Sequence, residues 1–185
     1  MRDDERLDAE PPDSDLIERG RSGDDSALSA LVRRHHGAAY RVALSITKND
    51  DTAQDVVQDS FLKAFRALDG FRGDASFRTW LMTITANEAR GALRKLNRLK
   101  ETALDDAGPV RSSELDPAET AVLGQESARA RAMLETLPEK QRLSVAMRID
   151  EGLSFREIGE VIGSSEGAAR VNYFHGIRRL RELME

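Results

Sequence analysis

The sequence predicts an all-α protein built as two helical units joined by a linker. Three observations carry that expectation. Apolar residues recur at three- and four-residue spacing in segment after segment, as on one face of a helix. Strand signals are nearly absent, with no alternating β-branched run and no Asn-Gly hairpin turn. Between residues 101 and 117 the periodicity stops, and mixed polar residues surround Gly108-Pro109, as in an interdomain linker.

Composition narrows the class. The chain has 185 residues, a net charge of -5 and no cysteine, so disulfides and thiolate zinc sites are excluded. The N-terminus is charged from Arg2 onward without an apolar signal region, and no run approaches a membrane span, so a cytoplasmic protein with no membrane insertion is expected. The charge is unevenly spread. Residues 1–25 hold ten acidic and four basic residues, and residues 101–127 hold seven acids and one arginine. Arg90, Arg94, Lys95, Arg98 and Lys100 instead form a basic run, a local electrostatic footprint of the kind that binds nucleic acid.

The elements follow in order. Residues 1–13 form an acidic arm with Pro11-Pro12, expected to be disordered. A short helix is expected over Asp15–Arg21, with Leu16 and Ile17 inward and Gly23 beyond its end. Asp24 or Asp25 caps the next helix, whose stripe is Ala27, Leu28, Leu31, Val32 and His35. Gly37 is expected to interrupt it, with helix resuming from Ala38 to Thr47. Asn49-Asp50-Asp51 is a turn and cap. From Asp51 to Leu68, Val57, Phe61, Ala64, Phe65 and Leu68 share an apolar face. Asp55, Gln58, Asp59 and Lys63 lie away from it, on a face that is either simply solvated or a docking surface for a basic partner.

Phe71 to Ala75 is a loop, and Ser76 caps a long helix from Phe77 to about Lys100. Its early apolar side is Phe77, Trp80, Leu81 and Ile84. Aromatic and Thr/Asn groups beside a basic run suit single-stranded DNA, because rings stack on bases and cations track phosphates. The alternative is that Phe77 and Trp80 are core and the basic run is a solvated helix end. After the linker, Asp116-Pro117 can open a helix reaching about Leu137, with Val122, Met133 and Leu134 inward. Pro138 opens another, with Leu143, Met147 and Ile149 as core candidates.

The last stretch is the most informative. Ser154 and Glu157 make a capping box, Phe155, Ile158 and Ile162 share a face, and Gly163 can end the helix in the left-handed conformation. Ser164 or Ser165 caps the next helix, with Ala169, Tyr173, Gly176, Leu180 and Leu183 inward. Its other face carries Arg170, Asn172, His175, Arg178, Arg179 and Arg181. A short helix, a glycine turn and a second helix with a basic face is the pattern of a DNA-binding helix-turn-helix. No Walker loop, dinucleotide glycine pattern or nucleophile elbow is present, so enzymatic activity is not expected. Adjacent His35 and His36 point to different sides of a helix and cannot share a metal in the usual i, i+4 way. No cofactor is expected. A two-component or quorum-type transcription regulator would need a sensor domain upstream, commonly of alternating strands and helices, and residues 15–100 show no strands. A protein-only helical adaptor fits poorly with the two basic patches.

DTAQDVVQDSFLKAFRAL, FRGDASFRTWLMTITANEARGALRK and LETLPEKQRLSVAMRIDEGLSFREIGEVIGSSEGAARVNYFHGIRRLRE, in that order, resemble an extracytoplasmic-function sigma factor of the sigma-70 family. The resemblance spans nearly everything from Asp15 to Glu182. It implies sigma region 2 over 14–100, a linker over 101–117 and sigma region 4 over 118–185. The implied function is promoter recognition and opening as a dissociable subunit of bacterial RNA polymerase. The implied partners are core RNA polymerase, through the coiled coil of its largest subunit and its flap, promoter DNA, and a dedicated anti-sigma factor.

The docking motif then falls on Asp55, Val56, Gln58, Asp59, Leu62 and Lys63. The reader of the minus-10 element, single-stranded when captured, falls on Phe71, Arg72, Asp74, Ser76, Phe77, Thr79, Trp80, Thr83, Asn87, Arg90, Arg94 and Lys95. Within it, the Phe71–Ser76 loop lines the pocket for an extruded base, and Trp80 leans towards a supporting role. The double-stranded minus-35 reader falls on Arg156, Ser164, Ser165, Glu166, Ala168, Arg170, Val171, Asn172, His175, Arg178 and Arg179. There Asn172 suits adenine, Val171 a thymine methyl, and Arg178 and Arg179 phosphates; His175 suits either base or phosphate. Two departures stand out. Gly91 replaces a frequent aspartate and is expected to loosen its helix, and Arg170, Val171 and Asn172 stand where many relatives have lysine, serine and arginine.

Overall fold

A computed structural model of the chain describes residues 10–104 and 132–184. Among the described residues every regular element is a helix. Most of the helix expected from Asp116-Pro117 to about Leu137, most of the linker and residues 1–9 lie outside them.

The first unit is built on α2 (Asp25–Thr47), which packs against α1 (Asp13–Arg21), α3 (Asp50–Arg66) and α4 (Phe77–Leu104). Asp24 caps α2 by accepting from the amides of Ser26 and Ala27, and Asn49 caps α3 by accepting from that of Thr52. A one-turn 3-10 helix (Leu68–Gly70) ends this stretch. Ala38, Ala39 and Ala43 on α2 meet Ala53, Ala64, Ala86 and Ala89 on its neighbours, so the helices approach closely around buried Leu31, Val42, Val57, Leu81 and Met82. Each buried leucine there contributes roughly 1.5–3 kcal/mol.

Contrary to expectation, α2 does not break at Gly37. A mid-helix glycine costs about 1 kcal/mol relative to alanine, and the buried face of His35, Ala38, Ala39 and Val42 outweighs it. Likewise α4 runs unbroken through Gly91.

In the second unit, residues 132–135 are helical, and α5 (Glu139–Ile149), α6 (Phe155–Ile162) and α7 (Glu166–Glu182) follow. Gly176 lets α7 press on α5; a Cβ there would lie 2.7 Å from Val145 Cγ2. Ile149 and Leu183, expected in the core, are exposed because each lies at the end of its helix, beyond the packed turns.

The two units are not separate beads. Leu143, Met147, Leu153, Ile158, Val161 and Ile162 belong to the same continuous core as Leu31 and Leu81. Arg142, 6% exposed, crosses from α5 to the end of α2, donating to the Ser45 carbonyl from Nε (2.9 Å) and Nη2 (2.6 Å) and to the Leu137 carbonyl from Nη1 (2.7 Å). The last turn of α2 has no basic residue of its own, so this guanidinium meets the negative end of the α2 dipole. Burial lowers its pKa, opposed by Glu139 and Glu135.

Candidate nucleic-acid and polymerase interface

Three surfaces carry the residues singled out by sequence. The first is the outer side of α3. Asp55, Gln58, Asp59, Leu62 and Lys63 are exposed, Leu62 unusually so for a leucine at 47%. Among the described residues no ion pair or hydrogen bond engages the side chains of Asp55, Gln58 or Asp59. Lys63 Nζ reaches Glu88 at 2.5 Å. Val56 is buried and supports the face from behind. Beside these residues, α2 and α3 leave a groove lined by Val32, His36, Tyr40, Phe61, Leu62 and Phe65, with Asp55 and Gln58 on its rim. An apolar trough edged by free carboxylates and amides fits a helix that carries both apolar and basic groups.

The second surface is the Phe71–Ser76 loop and α4. Arg21 holds the loop's base, donating from Nη2 to the carbonyls of Phe71 (2.5 Å) and Leu68 (3.0 Å). Gly73 has φ +77°, so the loop turns through a conformation that favours glycine. Arg72 and Asp74 are exposed and paired at 3.1 Å. Phe71 packs on Trp80 with centroids 4.8 Å apart, and Phe77 lies 5.8 Å from Trp80 and 5.4 Å from His35. Phe71 and Trp80 are half-buried, whereas Phe77 is buried, so only the first two present ring surface.

Ser76 caps α4, its hydroxyl accepting from the Thr79 amide at 3.1 Å. Asn87, Arg94 and Lys95 are exposed and Thr83 is half-buried. Thr79 is fully buried, donating to Glu157 Oε1 at 3.1 Å. Arg90 donates to Glu139 Oε1 at 2.9 Å, and its buried Nη2 has no hydrogen-bond partner.

Beneath this surface His35 Nε2 lies 2.8 Å from Asp13 Oδ2, with Nδ1 buried and unpartnered. Desolvation, the largest influence, lowers its pKa and so favours the neutral ring, while Asp13 pulls the other way, towards the charged form. The described end of the acidic arm binds Arg34, through Asp13 (2.6 Å), Glu10 (3.1 Å) and the Pro11 carbonyl (2.9 Å).

The third surface is α6 and α7. The capping box is formed: the Ser154 hydroxyl accepts from the Glu157 amide (3.3 Å), and Glu157 Oε2 accepts from the Ser154 amide (2.8 Å). Gly163 ends α6 with φ +63°, and Ser165 rather than Ser164 caps α7 by accepting from the Ala168 amide. Ser164 is half-buried, with an unpartnered hydroxyl oxygen. The turn is tight; a Cβ on Gly159 would stand 2.8 Å from the Ser164 carbonyl oxygen.

Arg156, Glu166, Arg170, Val171, His175, Arg178 and Arg179 are exposed and Ala168 is half-buried. Arg170 is held by Glu166 (3.1 Å) and sits over the Phe155 ring at 5.2 Å. Arg178 lies 3.9 Å from Glu182. Asn172 is half-buried, and its Nδ2 donates to the Ala168 carbonyl at 2.9 Å, so its amide faces its own helix. Phe174, missed in the sequence, is 58% exposed beside Val171, which is 53% exposed. Its i, i+3 relation to Val171 was the available signal.

Both units match family models. Residues 31–99 match Sigma-70 region 2 and residues 127–180 match Sigma-70, region 4. The chain is 34% identical over 182 residues to the ECF RNA polymerase sigma-E factor of Salmonella typhimurium, covering 94% of this chain and 92% of that relative. It is similar to CnrH solved with the cytosolic domain of CnrY (28% identity, TM-score 0.67, covering 93% of this chain and 96% of that one). It is also similar to the sigma factor RpoE solved with the anti-sigma factor NepR from Bartonella quintana (26% identity, TM-score 0.68, covering 84% and 95%). The chain belongs to the ECF RNA polymerase sigma factors. It binds core RNA polymerase and directs promoter-specific transcription initiation. No helix among the described residues is long and apolar enough to cross a membrane.

Proposed function

We propose that the outer side of α3 docks on the coiled coil of the polymerase's largest subunit. Asp55, Gln58 and Asp59 meet arginines there, and Leu62 enters the interface from the apolar groove. The Phe71–Ser76 loop receives a base extruded from the non-template strand of the minus-10 element, and Asn87, Arg94 and Lys95 hold the strand and its phosphates. Helix α7 enters the major groove at the minus-35 element, and the second unit rests on the polymerase flap. Val171 and Phe174 face base edges, while Arg178 and Arg179 bind phosphates.

The regions run as an arm over 1–13, region 2 over 14–100, a linker over 101–117 and region 4 over 118–185. The chain works in the cytoplasm, performs no catalysis itself and is held in check by an anti-sigma factor, as CnrY and NepR accompany the two similar structures.

The observation that carries the docking assignment is the exposed, unengaged Asp55–Gln58–Asp59 turn beside an apolar groove. The test is run-off transcription with purified core polymerase. Alanine at all three positions is expected to weaken core binding by about tenfold to a hundredfold, since desolvated interface pairs contribute roughly 1.5–3 kcal/mol or more. Unchanged core affinity would remove α3 as the docking face.

A further inference from the structure

Phe155 is the first residue of α6, and several side chains share its ring. The Ser154–Glu157 capping box fixes the start of that helix, so the place of the ring is set independently of α7. Tyr173 packs on it with centroids 5.5 Å apart, and Phe174 lies 6.5 Å away. The Arg170 guanidinium stands over the ring at 5.2 Å from its centroid, and that of Arg148 at 5.0 Å. Arg148 is itself tied to the Leu153 carbonyl, donating from Nη1 at 2.7 Å. One half-buried ring of α6 therefore meets both Arg170 and Phe174, which lie a turn apart on α7.

A long arginine on an exposed helix face samples many rotamers, and binding that orders it must overcome the entropy lost. Arg170 is already held in two ways. Glu166, one turn back, accepts from its Nη2 at 3.1 Å, and the negative face of the Phe155 ring attracts its charge. The Arg170 side chain is still 56% exposed, so it keeps N–H groups for a base edge. A pre-ordered guanidinium fork suits the paired acceptors of guanine in the major groove. Phe174, on the same side, offers an exposed ring next to it.

We propose that Phe155 is a positioning residue for minus-35 recognition. It touches no DNA itself, but it sets Arg170 and Phe174 in the arrangement that distinguishes one base sequence from another. The proposal rests on α7 as the minus-35 reader. Promoter preference then depends on the helix before the recognition helix as well as on the recognition helix itself.

The test uses holoenzyme reconstituted with core polymerase. The probe is a duplex carrying the minus-35 sequence that the wild-type holoenzyme selects from random DNA, measured against a scrambled duplex. Phe155→Leu is expected to lower the ratio of the two affinities about tenfold, with the loss concentrated at the base pairs that Arg170→Ala also relaxes. The slope of log affinity against log salt is expected to stay as in the wild type, because no phosphate contact is removed. In an Arg170→Ala background Phe155→Leu is expected to add little, and Phe155→Tyr is expected to restore the ratio. Phe155 also packs on the core, so Phe155→Leu can lower the melting temperature. Pentafluorophenylalanine at position 155 separates the two roles: it fills the same space but reverses the charge of the ring face, and it is expected to lower the ratio with the fold intact. A ratio unchanged by both replacements, while Arg170→Ala lowers it, would overturn the positioning role. A ratio unchanged by Arg170→Ala and Phe174→Ala as well would overturn α7 as the reader.

Discussion

The two surfaces proposed to read DNA are kept in opposite conditions. On α4, Thr79 is fully buried and Arg90 is paired across the unit boundary. On α7, Val171, Phe174, His175, Arg178 and Arg179 all face solvent, and the acid near Arg178 belongs to its own helix. A duplex can approach α7 without any rearrangement of the fold. On the proposed reading, a single strand meets Thr79 and Arg90 only once Glu157 and Glu139 give them up. The difference teaches that a binding face is defined by what already occupies it as much as by its residues.

The most damaging way to break that contrast is at Gly159. Its Cβ position abuts backbone atoms of Ser164, Ser165 and Glu166, which cannot swing aside as a side chain would. Gly159→Ala is expected to destabilise the second unit by about 1–3 kcal/mol, visible as a lower melting temperature and weaker duplex binding. Next, Phe174→Ala is expected to weaken binding of a minus-35 duplex about tenfold by removing an exposed ring's apolar contact, while leaving single-stranded binding unchanged. Equal losses on both substrates would mean that Phe174 does not distinguish the two surfaces.

A smaller effect tests the covered side. Desolvation pushes the Glu157 pKa up, but hydrogen bonds from Ser154 and Thr79 and the charge of Arg78 outweigh it, leaving the carboxyl below its ordinary value. The folded state therefore binds this proton less readily than the unfolded state. The stabilisation is complete above the ordinary glutamate range and fades as pH falls through that range towards the folded value. Acid titration followed by scattering is expected to show loosening of the units in that window, and Glu157→Gln should flatten the response. The smallest effect is at Arg178. Arg178→Ala is expected to cost a few-fold in duplex affinity at low salt and to lower the slope of log affinity against log salt by about 1.

Local signals in the sequence were reliable because they involve neighbours. Ser154 with Glu157, Asn49 before α3, Gly163 after α6 and the apolar stripe of α3 all appear as their spacing implies. Gly37 misleads because an intrinsic preference of about 1 kcal/mol is overridden by packing on both sides of it. Thr79 looks like a surface threonine from its helix alone, and it is buried by Glu157, 78 positions further on. Asn172 looks like an adenine reader by residue type, yet its amide is engaged one turn back, at Ala168. Glu151 carries no local signal, since its partners Arg41 and Arg78 lie far away in the chain.

Glu157 has two employers. It starts α6 through Ser154 and also reaches across to Thr79, so any replacement harms the helix-turn-helix along with the contact between the units. Glu151 begins no helix, and its carboxylate pairs only across the unit boundary, with Arg41 and Arg78. Sequence drift can therefore retune how firmly the two units hold together at one position without disturbing the start of the helix-turn-helix.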